Sequence, residues 1–202
     1  MEPTEHNRRA FDTAYRRRGK RGGLPAIVKA TLGDLTAKRV LHLQGGSGEA
    51  TAELAELGAV VTAVDESEAV LDAARERWPK VLWIQASANA LPAELRRGRF
   101  DLVYSPEGVL AGINDLDAWA RGIDDALHEH GELLVYDDHP VALCVDAFAR
   151  WQYDYFSEGF WRLGTIVTTL IRTGFRIGAL EEYPGERKLP GTFLLYATRS
   201  TQ

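Results

Sequence analysis

The stretch Val40-Leu41-His42-Leu43-Gln44-Gly45-Gly46-Ser47-Gly48 carries a short apolar run into a cluster of glycines. Val40 to Leu43 reads as a buried strand. Ala50 to Leu57 reads as a helix with Leu54 and Leu57 inward and Gly58 placed as its C-terminal cap. A helix that begins directly after such a loop points unpaired backbone N–H groups at whatever sits there, and glycines let the main chain come close to it. Val60-Val61-Thr62-Ala63-Val64 is a second strand ended by Asp65, a position from which a carboxylate can accept both hydroxyls of a ribose. A tight turn beside a solvated aspartate would use the same residues without a ligand. The strand, loop and helix in sequence, with an acid at the next strand end, favour a ligand site.

Outward from this unit the pattern repeats. Ser67 is placed as the N-cap of a helix with Glu68 in its first turn. Val81 to Ile84 and Phe100 to Tyr104 read as strands three and four. Leu116, Trp119, Ile123 and Leu127 recur at helical spacing, which predicts a helix over 115–128 closed by Gly131, and Leu133 to Tyr136 is strand five. Near-continuous apolar strands alternating with helices imply an α/β fold with a parallel sheet covered on both faces. The end of the chain departs from this rhythm. After a helix over 163–173 stopped by Gly174, strands over 175–183 and 191–198 have only the loop 184–190 between them. No crossover helix fits that loop, so the last pair must be an antiparallel hairpin. The expectation is one domain over 1–202, divided into an N-terminal helical segment (1–37), a ligand-binding core (38–138), a lid segment (139–162) and the last helix and hairpin (163–198).

The bulk properties narrow the function. The chain has 202 residues, 45% apolar and 26% charged, which is ordinary globular composition. No apolar run approaches the roughly 18 residues of a membrane span, and the N-terminus lacks an apolar signal core. Cys144 is the only cysteine, so a cytoplasmic protein without internal disulfide or thiolate metal cluster is expected. The net charge of −5 argues against broad nucleic-acid binding. Arg16-Arg17-Arg18-Gly19-Lys20-Arg21 is a local exception, readable as an RNA-facing patch or as a solvated helix end; with no interleaved aromatic the second reading is preferred. A dinucleotide site would want a third glycine near position 51, where this chain has Thr51, and a terminal hairpin fits a nicotinamide domain poorly.

At Val40–Gly48, Val61–Ser67, Phe100–Tyr104 and Gly131–Val135 the sequence resembles the class I S-adenosylmethionine-dependent methyltransferases. His42-Leu43-Gln44, His139-Pro140-Val141 and Leu163 to Val167 are also similar to a bacterial subgroup acting on small molecules. The resemblance covers roughly residues 38 to 198. It implies a Rossmann-like three-layer sandwich with a seven-stranded, mostly parallel sheet, and S-adenosylmethionine as cofactor. It implies that Gln44, Gly45, Gly46 and Gly48 line the methionine end, that Asp65 holds the ribose, and that Glu66, Ser87 and Ala88 border the adenine. Ser105, at the end of strand four, joins the cofactor side. Gln44 and Ser87 depart from the family pattern, since many relatives carry an acid at each.

Methyl transfer from a sulfonium depends chiefly on aligning the nucleophile, so a strong catalytic signature is not expected. His139, after Asp137-Asp138, is a candidate base or a structural histidine setting the turn before Pro140. Glu107 is a second candidate base, or a solvated loop carboxylate. A metal held by Glu107, Asp137 and Asp138 is disfavoured because adjacent strand residues point to opposite faces, and no metal is expected. Phe148, Trp151, Tyr153, Tyr155, Phe156, Phe160 and Trp161 fall within fourteen residues. They form either a wall for a planar acceptor, with Tyr153 or Tyr155 orienting a polar group, or a packing or dimer surface. Phe11 and Tyr15 lie one helical turn apart and are expected to dock the N-terminal helix. The activity expected is methylation of oxygen or nitrogen on a small aromatic or heterocyclic metabolite, by a monomer or homodimer. The alternatives are an inactive scaffold of the same fold and an RNA-modifying enzyme.

Overall fold

The structure, a computed structural model, describes residues 22–146, 148–157, 161–185 and 188–200. The Arg16–Arg21 run, Phe11, Tyr15 and Phe160 lie outside these residues. In chain order the elements are α1 (Ala26–Leu32), β1 (Arg39–His42), α2 (Glu49–Glu56), β2 (Val60–Asp65), α3 (Glu68–Arg77), β3 (Leu82–Gln85) and β4 (Phe100–Ser105). A 3-10 turn (Leu110–Gly112) follows, then α4 (Leu116–Ala126), β5 (Leu127–Asp138), α5 (Pro140–Leu143), α6 (Leu163–Thr173), β6 (Phe175–Pro184) and β7 (Pro190–Arg199).

The seven strands form one sheet in the order β3-β2-β1-β4-β5-β7-β6. β1 pairs in parallel with β2 and β4, β2 with β3, and β4 with β5. β7 inserts between β5 and β6 and is antiparallel to both. Strand order therefore reverses between β1 and β4, and ligands of open α/β sheets bind beyond the C-terminal strand ends at such a point.

Local chemistry sets most boundaries. Ser67 accepts the Val70 N–H at 3.4 Å and Asp115 accepts the Ala118 N–H at 2.8 Å, so both act as N-caps. Gly58 (φ 96°) and Gly174 (φ 110°) take the left-handed turn that ends the preceding helix. One face of the sheet packs Leu41, Val103, Leu133 and Leu195 against Trp119 and Ile123 of α4 and Ile166 and Leu170 of α6. The other packs Val40, Leu102, Leu134 and Leu194 against Val28 of α1 and Leu54 of α2. A third cluster seats Leu71 and Ala74 of α3 on Ala63 and Trp83.

One boundary differs from the sequence reading. The helix expected over 115–128 stops at Ala126, and β5 begins at Leu127 and runs through Gly131. The cause is long-range. The Asp125 and Ala126 carbonyls accept N–H bonds from Gly98 (2.8 Å) and Arg99 (2.9 Å), and Arg199 donates to the Leu127 carbonyl at 2.7 Å. These carbonyls pair with the loop before β4 and with β7 instead of with a further helical turn, and Leu127 stays fully buried as its spacing demands.

Candidate functional site

The glycine loop is built by close approach. The Leu43 N–H donates to the Tyr104 carbonyl at 3.0 Å and the Gly45 N–H to the Val64 carbonyl at 2.8 Å, so the loop leaves β1 still tied to both neighbours. It then turns through three left-handed residues, Gln44 (φ 48°), Gly46 (φ 55°) and Gly48 (φ 89°). Its glycines do different things. A Cβ on Gly45 would lie 2.9 Å from Trp83 Cζ3 and 3.0 Å from Ala63 Cβ, and one on Gly48 would lie 2.5 Å from Trp78 Cδ1. These two let the loop rest on a tryptophan floor. At Gly46 the nearest atom would be 3.9 Å away, the backbone oxygen of Gln44, so this position faces open space and admits a ligand.

Asp65, half-buried at the end of β2, accepts the Gly46 N–H at 3.1 Å through Oδ2 and the Ser67 N–H at 3.0 Å through Oδ1. Each carboxylate oxygen keeps lone-pair capacity for a ligand hydroxyl. Beneath the loop, His42 is 1% exposed; its Nδ1 lies 2.8 Å from Thr51 Oγ1 and its ring stacks on Tyr104. Burial holds its pKa down to about 3, so it is neutral.

The adenine-side residues named from the sequence form one hydrogen-bonded group. The Ser87 hydroxyl donates to the Glu66 carboxylate, Gln85 Nε2 donates to the Glu66 carbonyl at 3.1 Å, and Ala88 is buried in the core. Ser105, at the end of β4 on the other side of β1, is fully buried, its hydroxyl without a partner among the described residues.

The acceptor-side candidates divide. Asp137 is buried, and its carboxylate accepts N–H bonds from Gly108 (2.6 Å), Leu110 (2.9 Å) and Asp138 (2.7 Å). Burial, and then the adjacent Asp138 charge, push its pKa up to about 8 against those three donors. It is a clip for the loop after β4, a role the sequence reading missed because its partners lie 27 and 29 residues away. His139 has both ring nitrogens engaged. Nδ1 accepts the Val141 N–H at 3.1 Å as the N-cap of α5, and Nε2 lies 2.8 Å from the Glu182 carboxylate. The acceptor role fixes the proton on Nε2, which leaves the neutral ring no lone pair for an incoming acceptor. Burial lowers its pKa despite Glu182. Glu107 sits half-buried in the loop that Asp137 clips.

Tyr153 and Tyr155 pack with Leu143 around buried Cys144, and the Tyr155 hydroxyl accepts the Leu163 N–H at 3.4 Å. Trp151, Tyr153, Tyr155 and Phe156, with Gln152 and Asp154, line an open surface depression of about 460 Å³. Phe148, Trp151 and Phe156 are exposed, with Arg150 over Phe148 and Arg162 over Phe156. The structure also brings in Asn89, not singled out from the sequence, and gives Trp161 of the aromatic segment a partner. Asn89 donates to the Gly112 carbonyl at 2.9 Å and accepts the Asn114 N–H at 2.7 Å, and Trp161 donates to the Ile113 carbonyl at 2.7 Å. A lone asparagine in a loop carries no sequence signal for such a role.

Among the described residues no group of three histidine, cysteine or acidic side chains is placed to hold a metal, and no helix is long and apolar enough to cross a membrane.

The family model described as a methyltransferase domain matches residues 40–131, from β1 into β5. No curated protein shows significant sequence similarity to the chain. Among solved structures, an S-adenosylmethionine-dependent methyltransferase from Mesorhizobium loti is 26% identical, with 86% of this chain and 96% of that one covered and a TM-score of 0.72. A Listeria monocytogenes protein assigned to the same enzymes is 23% identical over 87% of this chain and 96% of that one, with a TM-score of 0.74. A glycopeptide N-methyltransferase solved with S-adenosylmethionine is 19% identical over 86% of this chain and 92% of that one, with a TM-score of 0.65. At their identities the last two share the fold alone.

Sheet order, glycine loop and strand-end acid together are those of the class I S-adenosylmethionine-dependent methyltransferase fold. The chain carries a methyltransferase domain over residues 40–131; it is an enzyme, and S-adenosylmethionine is its cofactor.

Proposed function

We propose that the chain transfers a methyl group to oxygen or nitrogen of a small aromatic or heterocyclic acceptor. The observation that carries the reading is the open aromatic depression of Trp151, Tyr153, Tyr155 and Phe156, in the segment that follows α5 after β5. Its walls offer flat apolar faces, and tyrosine hydroxyls supply the few polar contacts that orient a planar ligand.

On the cofactor side, Gly46 supplies the open approach and Gln44, Gly45 and Gly48 complete the loop around the methionine end. Asp65 holds the ribose hydroxyls with the lone pairs left by its two backbone bonds. Glu66, Ser87 and Ala88 border the adenine, and Ser105 floors the cleft. When bound, the cofactor supplies an electrophilic methyl carbon on a sulfonium, which becomes a neutral thioether as the carbon passes to the acceptor.

The protein's part is positioning, which can supply several kcal/mol of the barrier. Tyr153 orients the acceptor and Tyr155 secures the wall to α6. Where the acceptor carries a proton that must leave, Glu107 is the residue proposed to receive it, because His139 is committed to its cap and to Glu182. A panel of phenols and heteroaromatic amines, assayed for acceptor-dependent S-adenosylhomocysteine, tests the reading. Turnover with members of the panel is expected. Turnover confined to peptides or RNA would overturn it.

A further inference from the structure

A continuous set of hydrogen bonds runs from the end of β2 to Trp161. The Ala86 N–H donates to the Asp65 carbonyl at 3.0 Å, and the Ser87 hydroxyl donates to Glu66. The Asn89 N–H donates to Ser87 Oγ at 3.1 Å, and its carboxamide then grips Gly112 and Asn114 at 2.9 and 2.7 Å. Ile113, between those two, accepts the Trp161 indole N–H at 2.7 Å. Residues 112 to 114 are thus held by one side chain from the β3 side and one from the segment before α6.

Polarity fixes the arrangement. The Gly112 carbonyl can only accept and the Asn114 N–H can only donate, so the carboxamide has one orientation. An aspartate of the same shape would keep the Asn114 bond and set an oxygen against the Gly112 oxygen. The Ile113 side chain is buried, so a shift of this segment is passed to its neighbours rather than absorbed by solvent.

We propose that Asn89 is a positioning residue that makes the 112–114 segment, and through it Trp161, respond when the Asp65–Glu66–Ser87 side of the cleft is filled. The consequence is ordered assembly, with the Trp161 side of the site set only after the cofactor side. The inference rests on the cofactor roles proposed above for Glu66 and Ser87.

The test is the Trp161 indole N–H resonance, assigned with Trp161→Phe, followed during titration of the full chain with S-adenosylhomocysteine while calorimetry measures binding. The resonance is expected to move in the parent protein and to move less than half as far at saturation in Asn89→Asp. Asn89→Ala serves as the second variant, since it removes both bonds without adding charge. Saturable binding with an indole signal that stays still, or moves equally in parent and variants, overturns the inference alone. Absence of binding to the parent overturns it together with the cofactor assignment.

Discussion

Asp65 and Gly46 meet through a 3.1 Å hydrogen bond, and each governs a different property of the loop. Asp65→Ala removes the acceptor of two backbone N–H groups and the proposed ribose contact. Bonds to a charged group contribute about 1.5–3 kcal/mol each, so affinity for S-adenosylhomocysteine should fall at least about tenfold by calorimetry. Unchanged affinity would sink the ribose assignment. The glycines make a sharper comparison. Gly46→Ala meets open space and should lower cofactor affinity at the cost of about 1 kcal/mol of stability for its left-handed backbone. Gly48→Ala drives a methyl into Trp78, where overpacking adds about 1–3 kcal/mol, so its midpoint in urea should drop clearly further. Equal losses in the two variants would show that the tryptophan floor does not distinguish them.

Two short elements at the C-terminal end of β5 depend on single side chains. Asp137 holds the loop leading into the 3-10 turn through Gly108 and Leu110, both buried contacts. Asp137→Ala leaves those N–H groups unpaired, at about 1–3 kcal/mol each, and should speed amide exchange at 108 and 110 ahead of the rest of the sheet. Exchange that rises uniformly would instead mean that the loop has no stability of its own to lose. His139 caps α5, so His139→Ala should cost about 1 kcal/mol in urea denaturation while leaving the pH dependence of turnover unchanged. A lost limb in the pH–rate profile would restore His139 as the base. The aromatic segment is an element of another kind. Its density was plain in the sequence, but which rings pack on Cys144 and which lie open to solvent follows from the turn around it.

At the scale of the whole molecule, buried titratable groups set the response to acid. His42 has its folded pKa depressed from 6.5 to about 3, so the unfolded chain binds one more proton than the folded one between those values. Its contribution is present above pH 6.5 and declines as pH falls toward 3, by about 1.4 kcal/mol per unit. His42→Phe, which keeps an aromatic ring beside Tyr104, should flatten the urea-midpoint profile over that window. An unchanged slope would show that other groups dominate. The same buried interior explains how much the sequence could say. Strand after strand was legible because burial on both faces demands unbroken apolar runs, and the cap Ser67 acts within three residues. The terminal hairpin followed from a loop too short for a helix. Glycine loop and strand-end acid were legible because close approach and charge need those residue types. By itself, then, the sequence determined the layered α/β architecture and the glycine loop with an acid at the next strand end, whose causes act over a few neighbouring residues. Tertiary structure alone decided the end of α4, the tryptophan floor under Gly45 and Gly48, the Asp137 clip, the pairing of His139 with Glu182 and the Asn89 bridge. Each of these joins groups far apart in the chain, where a side chain's partner is set by which strands adjoin and not by its own neighbours.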